Sequence, residues 1–210
     1  MRVNPATTEP DSGLDGYEVL VGVAGGIAAY KVASVVSALV QRGAGVTVAM
    51  TRAARRFVGP LTFQALTDRP VLRSLWDPAA QGDADHIRIT EQADLFLIAP
   101  ATANLIGKIA AGIADDLVTT LVMSADSPVM LAPSMNNRMY ENPIVQANLA
   151  RLEEIGYAML APEEGWLACR SVGKGRMADP AVIVDAVAAR LTAAPPKRGR
   201  PCLTSHQESI

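Results

Sequence analysis

The chain has 210 residues, half of them hydrophobic but only 4% aromatic, and carries a net charge of −2. That length suits one domain with a substantial core, and the near-neutral charge excludes binding to nucleic acid or a membrane by electrostatics alone. Two cysteines, Cys169 and Cys202, make no disulfide framework, and no Cys/His cluster has zinc spacing, so no metal is expected.

In chain order, residues 1–16 are polar and rich in Pro, Asp and Gly and read as a flexible leader, not a signal peptide. No apolar run approaches membrane-spanning length, so a cytoplasmic location is expected. Residues 17–192 form the folded domain. Segment 18–24 (EVLVGVA) has buried-strand composition, Gly25-Gly26 make a turn, and 27–42 is a helix with an apolar stripe through Val32, Val35, Val36 and Leu39. Gly43 closes that helix, and 46–50 is a second strand ending at Thr51. Short helices at 53–57 and 61–66 continue the crossover, and a turn-rich loop over 76–85 leads to His86. Segment 95–99 is the central strand, and 105–121 reads as one long helix. A fourth strand at 129–132 has its exit loop at 133–143, followed by a helix at 144–155 and a fifth strand at 157–161. Residues 163–177 read as a glycine-bearing loop, Asp179 caps and Pro180 starts a last helix to about 191, and 193–210 are expected to be a disordered, basic, proline-rich tail. Strands alternating with helices predict an α/β fold: a single doubly wound parallel sheet with helices on both faces, Rossmann-like.

The residues suited to chemistry follow the expected strands. The turn reads G-G-I-A, not G-x-G-x-x-G, and Thr51 stands where a ribose-binding acid would be expected. A hydroxyl there suits a phosphate contact, which favours a mononucleotide such as FMN over a nicotinamide dinucleotide. The two glycines also suit mere close packing of strand on helix, and the residues alone leave both readings open. In the stretch 94–104 (DLFLIAPATAN) a strand ends in small and hydroxyl-bearing residues. This presents N–H groups and hydroxyls at the sheet's carboxyl edge, where open α/β folds bind anions. His86 is the only histidine outside the tail. It is either a structural residue or a general base. Asn136 and Asn137 follow the fourth strand, as turn formers or as donors to a substrate carboxylate. Met135 and Met139 fill core or line an apolar pocket. Cys169 lies in GWLACRSVGKGRM, as a buried small hydrophobe, a proton donor or a nucleophile in a mobile cover.

Four segments then stand together in order: GGIAAYK at 25–31, His86 with ADLFLIAPATAN through 104, PSMNNRMY at 133–140, and LACRSVGKGRM at 167–177. On these the chain resembles the homo-oligomeric flavin-containing cysteine decarboxylases, and among them the branch that serves coenzyme A biosynthesis. The resemblance implies that Gly25, Gly26, Ile27, Thr51, Ala101, Thr102, Ala103 and Asn104 hold FMN, with Phe57 packed near it. It implies that His86 is the catalytic histidine, that Asn136 grips the substrate carboxylate, and that Cys169 protonates the late intermediate, with Met139 and Ala168 lining the substrate. The pattern is departed from at Tyr140, where Trp is usual, at Thr102, where Ser is common, and at Arg170, where Gly is usual. The implied reaction is FMN-dependent decarboxylation of 4′-phosphopantothenoylcysteine to 4′-phosphopantetheine. Alternatives are oxidative decarboxylation of a peptide C-terminal cysteine, whose enzymes lack the cysteine matched by Cys169, and a non-catalytic FMN-binding regulatory subunit. A flavin prenyltransferase is disfavoured by Cys169 and the PSMNNRM segment. The implied partners are a small-molecule substrate, no nucleic acid, no membrane, and further copies of the chain in a homotrimer or a dodecamer of trimers. Many bacteria fuse this domain to a synthetase domain; with the chain ending at Ile210, ligation is expected of another polypeptide.

Overall fold

A computed structural model describes residues 13–75, 85–166 and 172–197, with Asp85 and His86 described as backbone only. The chain opens with β1 (Glu18–Val23), α1 (Ala29–Gln41) and β2 (Gly45–Met50). A single 3₁₀ turn (Ala54–Arg56) precedes α2 (Pro60–Thr67), α3 (Asp85–Gln92) and β3 (Leu95–Ala101). Next come α4 (Ala103–Ala110), α5 (Leu117–Met123), β4 (Val129–Pro133), α6 (Asn137–Tyr140), α7 (Pro143–Glu154) and β5 (Ala158–Met159). The hairpin strands β6 (Glu163–Trp166) and β7 (Val172–Arg176) lead into α8 (Pro180–Thr192).

Five strands form one parallel sheet in the order β2-β1-β3-β4-β5, and β6 pairs with β7 antiparallel apart from it. Every residue of β3 is buried, as parallel strands covered on both faces require. Alternate residues serve opposite cores. Val19, Val21, Val23, Leu95 and Leu97 meet α1, α2 and α8 through Val32, Val36, Leu39, Phe63, Ile183 and Val187. Leu20, Phe96, Ile98 and Leu131 meet α3, α4, α5 and α7 through Ile89, Leu105, Ile106, Val118, Leu121 and Leu152. The doubly wound α/β expectation holds.

Several local expectations are corrected. The helix expected over 105–121 is two helices, broken at Gly112 (φ +70°) and restarted at Asp116. There the Asp116 carboxylate accepts the Thr119 N–H at 2.9 Å while the Thr119 hydroxyl meets the Asp116 N–H at 3.1 Å, a reciprocal cap. The loop expected over 163–177 contains the β6–β7 hairpin, and the exit loop after β4 contains the one-turn helix α6; between His86 and the central strand, where the sequence reading assigns no element, the chain forms α3. The expected leader and tail are anchored where they meet the domain. Leu14 is buried and its N–H donates to Arg42 O at 2.9 Å. Residues 193–197, placed by sequence in the tail, run across the amino edge of the sheet: Tyr17 Oη donates to Ala194 O, and the Lys197 N–H donates to Asp94 Oδ1, each at 2.8 Å. Residues 1–12 and 198–210 lie outside the described residues. Among the described residues no helix is long and apolar enough to cross a membrane.

Candidate functional site

From β1 the chain runs out to β2 at the sheet edge, then returns past β1 to β3. Open α/β sheets bind ligands beyond the carboxyl ends of the strands at such a reversal. Four strand exits meet there. At the first, Gly25 has no room for a side chain: a Cβ would lie 2.3 Å from Ala53 Cβ and 2.8 Å from the Ala53 carbonyl carbon. Close packing is thus the reason for Gly25. A Cβ on Gly26 would stand 3.3 Å from Thr102 Cγ2, so the β1 turn touches the β3 exit directly. Beyond the turn, α1 starts with Ala28 as N-cap and no capping side chain. Of its leading N–H groups, that of Ala29 donates to Gly26 O at 2.9 Å and that of Lys31 to Ala28 O at 3.0 Å, while that of Tyr30 has no acceptor among the described residues.

The second and third exits add hydroxyls. Thr51 donates its N–H to Val23 O at 3.0 Å, and its Oγ1 accepts the Ala54 N–H at 3.1 Å. Thr102 is the N-cap of α4, with Oγ1 accepting from the Leu105 N–H at 3.4 Å. Each hydroxyl spends a lone pair on the backbone, and among the described residues neither proton has an acceptor. Ala101 is buried at the end of β3, Ala103 opens α4 half-buried, and Asn104 is exposed beside it. Two large apolar side chains stay in solvent at these exits, Ile27 (58% exposed) after β1 and Phe57 (48%) after β2.

At the fourth exit, the Ser134 N–H donates to Ala101 O at 3.0 Å, joining the β4 exit to that of β3. Asn136 is the half-buried N-cap of α6, its Oδ1 accepting from the Arg138 N–H at 2.9 Å, and Met139 is half-exposed one turn on. The β6–β7 hairpin is seated on this loop. The Met135 N–H donates to Gly175 O at 2.9 Å, and Gly175 (φ +141°) would place a Cβ 2.4 Å from Met135 O. A Cβ on Gly173 would stand 2.9 Å from Asn137 Cβ. Lys174 Nζ lies 5.7 Å from the centre of the Tyr140 ring, a cation–π contact. Sequence reasoning treats these glycines as loop flexibility; the spacing V-G-K-G-R is the signal it passes over.

The structure therefore brings together Gly25, Gly26, Ile27, Thr51, Phe57, Ala101, Thr102, Ala103 and Asn104, with Asn136 and Met139 one exit further along. His86 is placed by its backbone in the first turn of α3, at the end of that helix opposite Gln92 and Ala93, which adjoin Glu18 and Val19. Ala168, Cys169 and Arg170 lie outside the described residues.

The arrangement defines an α/β domain with a hydroxyl-bearing cradle at its switch point. Residues 7–192 match the Flavoprotein family, and the chain belongs to it. The chain is 50% identical over 171 residues, 81% of its length, to the coenzyme A biosynthesis bifunctional protein CoaBC of Vibrio cholerae. To the Escherichia coli CoaBC it is 46% identical over 179 residues, 85% of its length. It spans 43% and 44% of those two relatives. Among solved structures, it matches a PPC decarboxylase mutant complexed with pantothenoylaminoethenethiol at 30% identity and a TM-score of 0.72, covering 81% of this chain and 96% of that one. It matches the FMN-dependent cysteine decarboxylase SpaF at 32% identity and a TM-score of 0.71, covering 84% of this chain and 96% of that one. The FMN-binding protein AtHal3 aligns at 29% identity with a TM-score of 0.75, over 86% of this chain and 99% of that one. These matches bear out the resemblance to the flavin-containing cysteine decarboxylases.

Proposed function

We propose that the chain is an FMN-dependent carboxy-lyase converting 4′-phosphopantothenoylcysteine to 4′-phosphopantetheine. The observation that carries this reading is the switch-point cradle, in which the Gly25-Gly26 turn abuts Thr102 while two hydroxyl protons and the Tyr30 N–H at the start of α1 remain unspent among the described residues. Such donors fit a phosphate, and the exposed apolar Ile27 and Phe57 fit a flat, largely apolar ring. When bound, FMN supplies the reversible hydride acceptor without which loss of CO₂ from a cysteinyl carboxylate would leave an unstabilised carbanion.

The chain's own residues hold and protonate. Thr51 and Thr102 donate to the phosphate, with the N–H groups of the β1 turn. Asn136, fixed by its cap to Arg138, orients the substrate carboxylate. His86 takes the thiol proton, and Cys169 returns a proton to carbon at the end. The peptide-directed alternative ranks second because the coenzyme A relatives are 41–50% identical, against 32% for SpaF, and because Cys169 is present. The reading includes a cytoplasmic homotrimer, or four trimers as a dodecamer, which sedimentation velocity would distinguish.

The test is to purify the protein, record its flavin spectrum, and measure CO₂ release from phosphopantothenoylcysteine. A yellow protein that releases CO₂ is expected; a colourless one that FMN cannot reconstitute overturns the reading. Cys169→Ser is expected to accumulate the oxidised enethiol product, and full conversion to phosphopantetheine, read by mass spectrometry, would remove the cysteine from its role. His86→Asn is expected to keep its flavin and lose CO₂ release.

A further inference from the structure

Three arginines, Arg52, Arg55 and Arg56, occupy five consecutive positions on the turn that leaves β2, and all three are exposed. Among the described residues none of them makes an ion pair or a side-chain hydrogen bond; Lys31, Arg138, Arg151 and Arg190 make none either, but each stands on a different helix, whereas these three share one turn. No acidic residue occurs between Thr51 and Thr67 to neutralise them. Three like charges held this close repel one another, an unfavourable arrangement that an anion would relieve.

The turn that carries them is firmly placed. Thr51 Oγ1 accepts the Ala54 N–H at 3.1 Å, Ala54 is fully buried, and Ala53 packs directly against Gly25. The backbone that carries the trio is therefore fixed beside the β1 turn, on the same carboxyl edge as the cradle. That cradle already offers two hydroxyls and the Tyr30 N–H to one phosphate, which leaves the guanidinium groups for another. Guanidinium is the side-chain group best matched to a phosphate monoester, through paired N–H···O bonds.

We propose that Arg52, Arg55 and Arg56 form a phosphate-recognition rim that selects the substrate's terminal phosphomonoester over its unphosphorylated counterpart. This rests on the substrate class assigned above. The other source of a phosphate monoester at this edge is FMN, and the experiment separates the two.

The triple variant R52Q/R55Q/R56Q is compared with the unaltered protein for its preference between phosphopantothenoylcysteine and pantothenoylcysteine, expressed as a ratio of kcat/KM values. The preference is expected to fall by about tenfold, through KM, and to shrink in the unaltered protein as salt is added. An unchanged preference overturns the proposal, and so does a loss that appears only as weaker FMN binding. Equilibrium binding of 4′-phosphopantetheine and pantetheine to both proteins reads the rim without catalysis. Should the unaltered protein release no CO₂, the assigned reaction fails, while a phosphate-dependent difference in binding that the triple variant loses still supports the rim. Equal binding of both compounds to the unaltered protein overturns it.

Discussion

At the β1 turn a single methyl group is enough to matter. An alanine at position 25 would drive its Cβ to 2.8 Å from the Ala53 carbonyl carbon, and backbone cannot yield as a flexible side-chain tip can. Gly25→Ala is expected to cost about 1–3 kcal/mol in urea unfolding, the usual range for overpacking a tight site. Thr102 carries two duties through one oxygen, capping α4 and presenting a proton to the cradle. Thr102→Val removes both, costing about 0.5–2 kcal/mol of stability and weakening flavin binding, while Thr102→Ser keeps both. Fluorescence titration with FMN against urea melts of the pair checks this. Elsewhere, burial pushes the Tyr157 phenol above its ordinary value of 10.0, because the charged form is poorly solvated there. The sign follows from linkage. A raised folded value gives a contribution fully present below pH 10 and lost as pH rises through the folded value. Tyr157→Phe is expected to flatten the alkaline limb of the stability profile, and an unaltered limb would assign the loss to other groups.

At the scale of elements, legibility followed burial. β1 and β3 were readable from sequence nearly to the residue because both faces are covered, which leaves an uninterrupted apolar run. The α4–α5 break was hidden because apolar spacing continues on both sides of it. The signal lay in Gly112 and the Asp116–Thr119 cap, which apolar periodicity does not register. The β6–β7 hairpin was invisible for another reason: it is held by glycine contacts to Met135 and Asn137, and E-E-G-W and V-G-K-G-R bury too few apolar side chains to look like strands. The cradle was legible in part. Thr51 and Thr102 declare themselves as hydroxyls at strand ends, but the bonds from Ser134 to Ala101 and from Met135 to Gly175 are main-chain contacts between distant segments. Helix α2 shows how little can secure an element, since Phe63 is its only buried residue. Phe63→Ala is expected to cost about 3–5 kcal/mol in urea unfolding, in the range for a large aromatic lost from a core. A cost below 1 kcal/mol would mean that the helix is held from elsewhere.

Across the whole molecule the two edges of the sheet divide the labour. The carboxyl edge is loosely satisfied, with unspent hydroxyl protons and exposed apolar groups. The amino edge is tightly tied. Asp94 accepts the Glu18 N–H and the Lys197 N–H, each at 2.8 Å, while its own N–H donates to Glu18 O at 2.7 Å. One carboxylate thus fastens the start of β1, the start of β3 and the segment after α8. Beside it the Arg69 guanidinium pairs with both Glu18 oxygens and reaches Thr47 Oγ1 at 3.2 Å, tying in β2. Hydrogen bonds to a charged acceptor contribute more than neutral ones, and Asp94→Ala strips two such bonds from half-buried amides. Asp94→Ala is therefore expected to destabilise the fold by about 2–3 kcal/mol, and Asp94→Asn, which retains one acceptor, by less. Because Asp94 lies at the opposite end of β3 from Thr102, flavin affinity and kcat measured well below the unfolding transition should stay at the unaltered values. If FMN binding weakened in step with stability, the sheet would be transmitting strain along β3, and the edges could not be treated as independent.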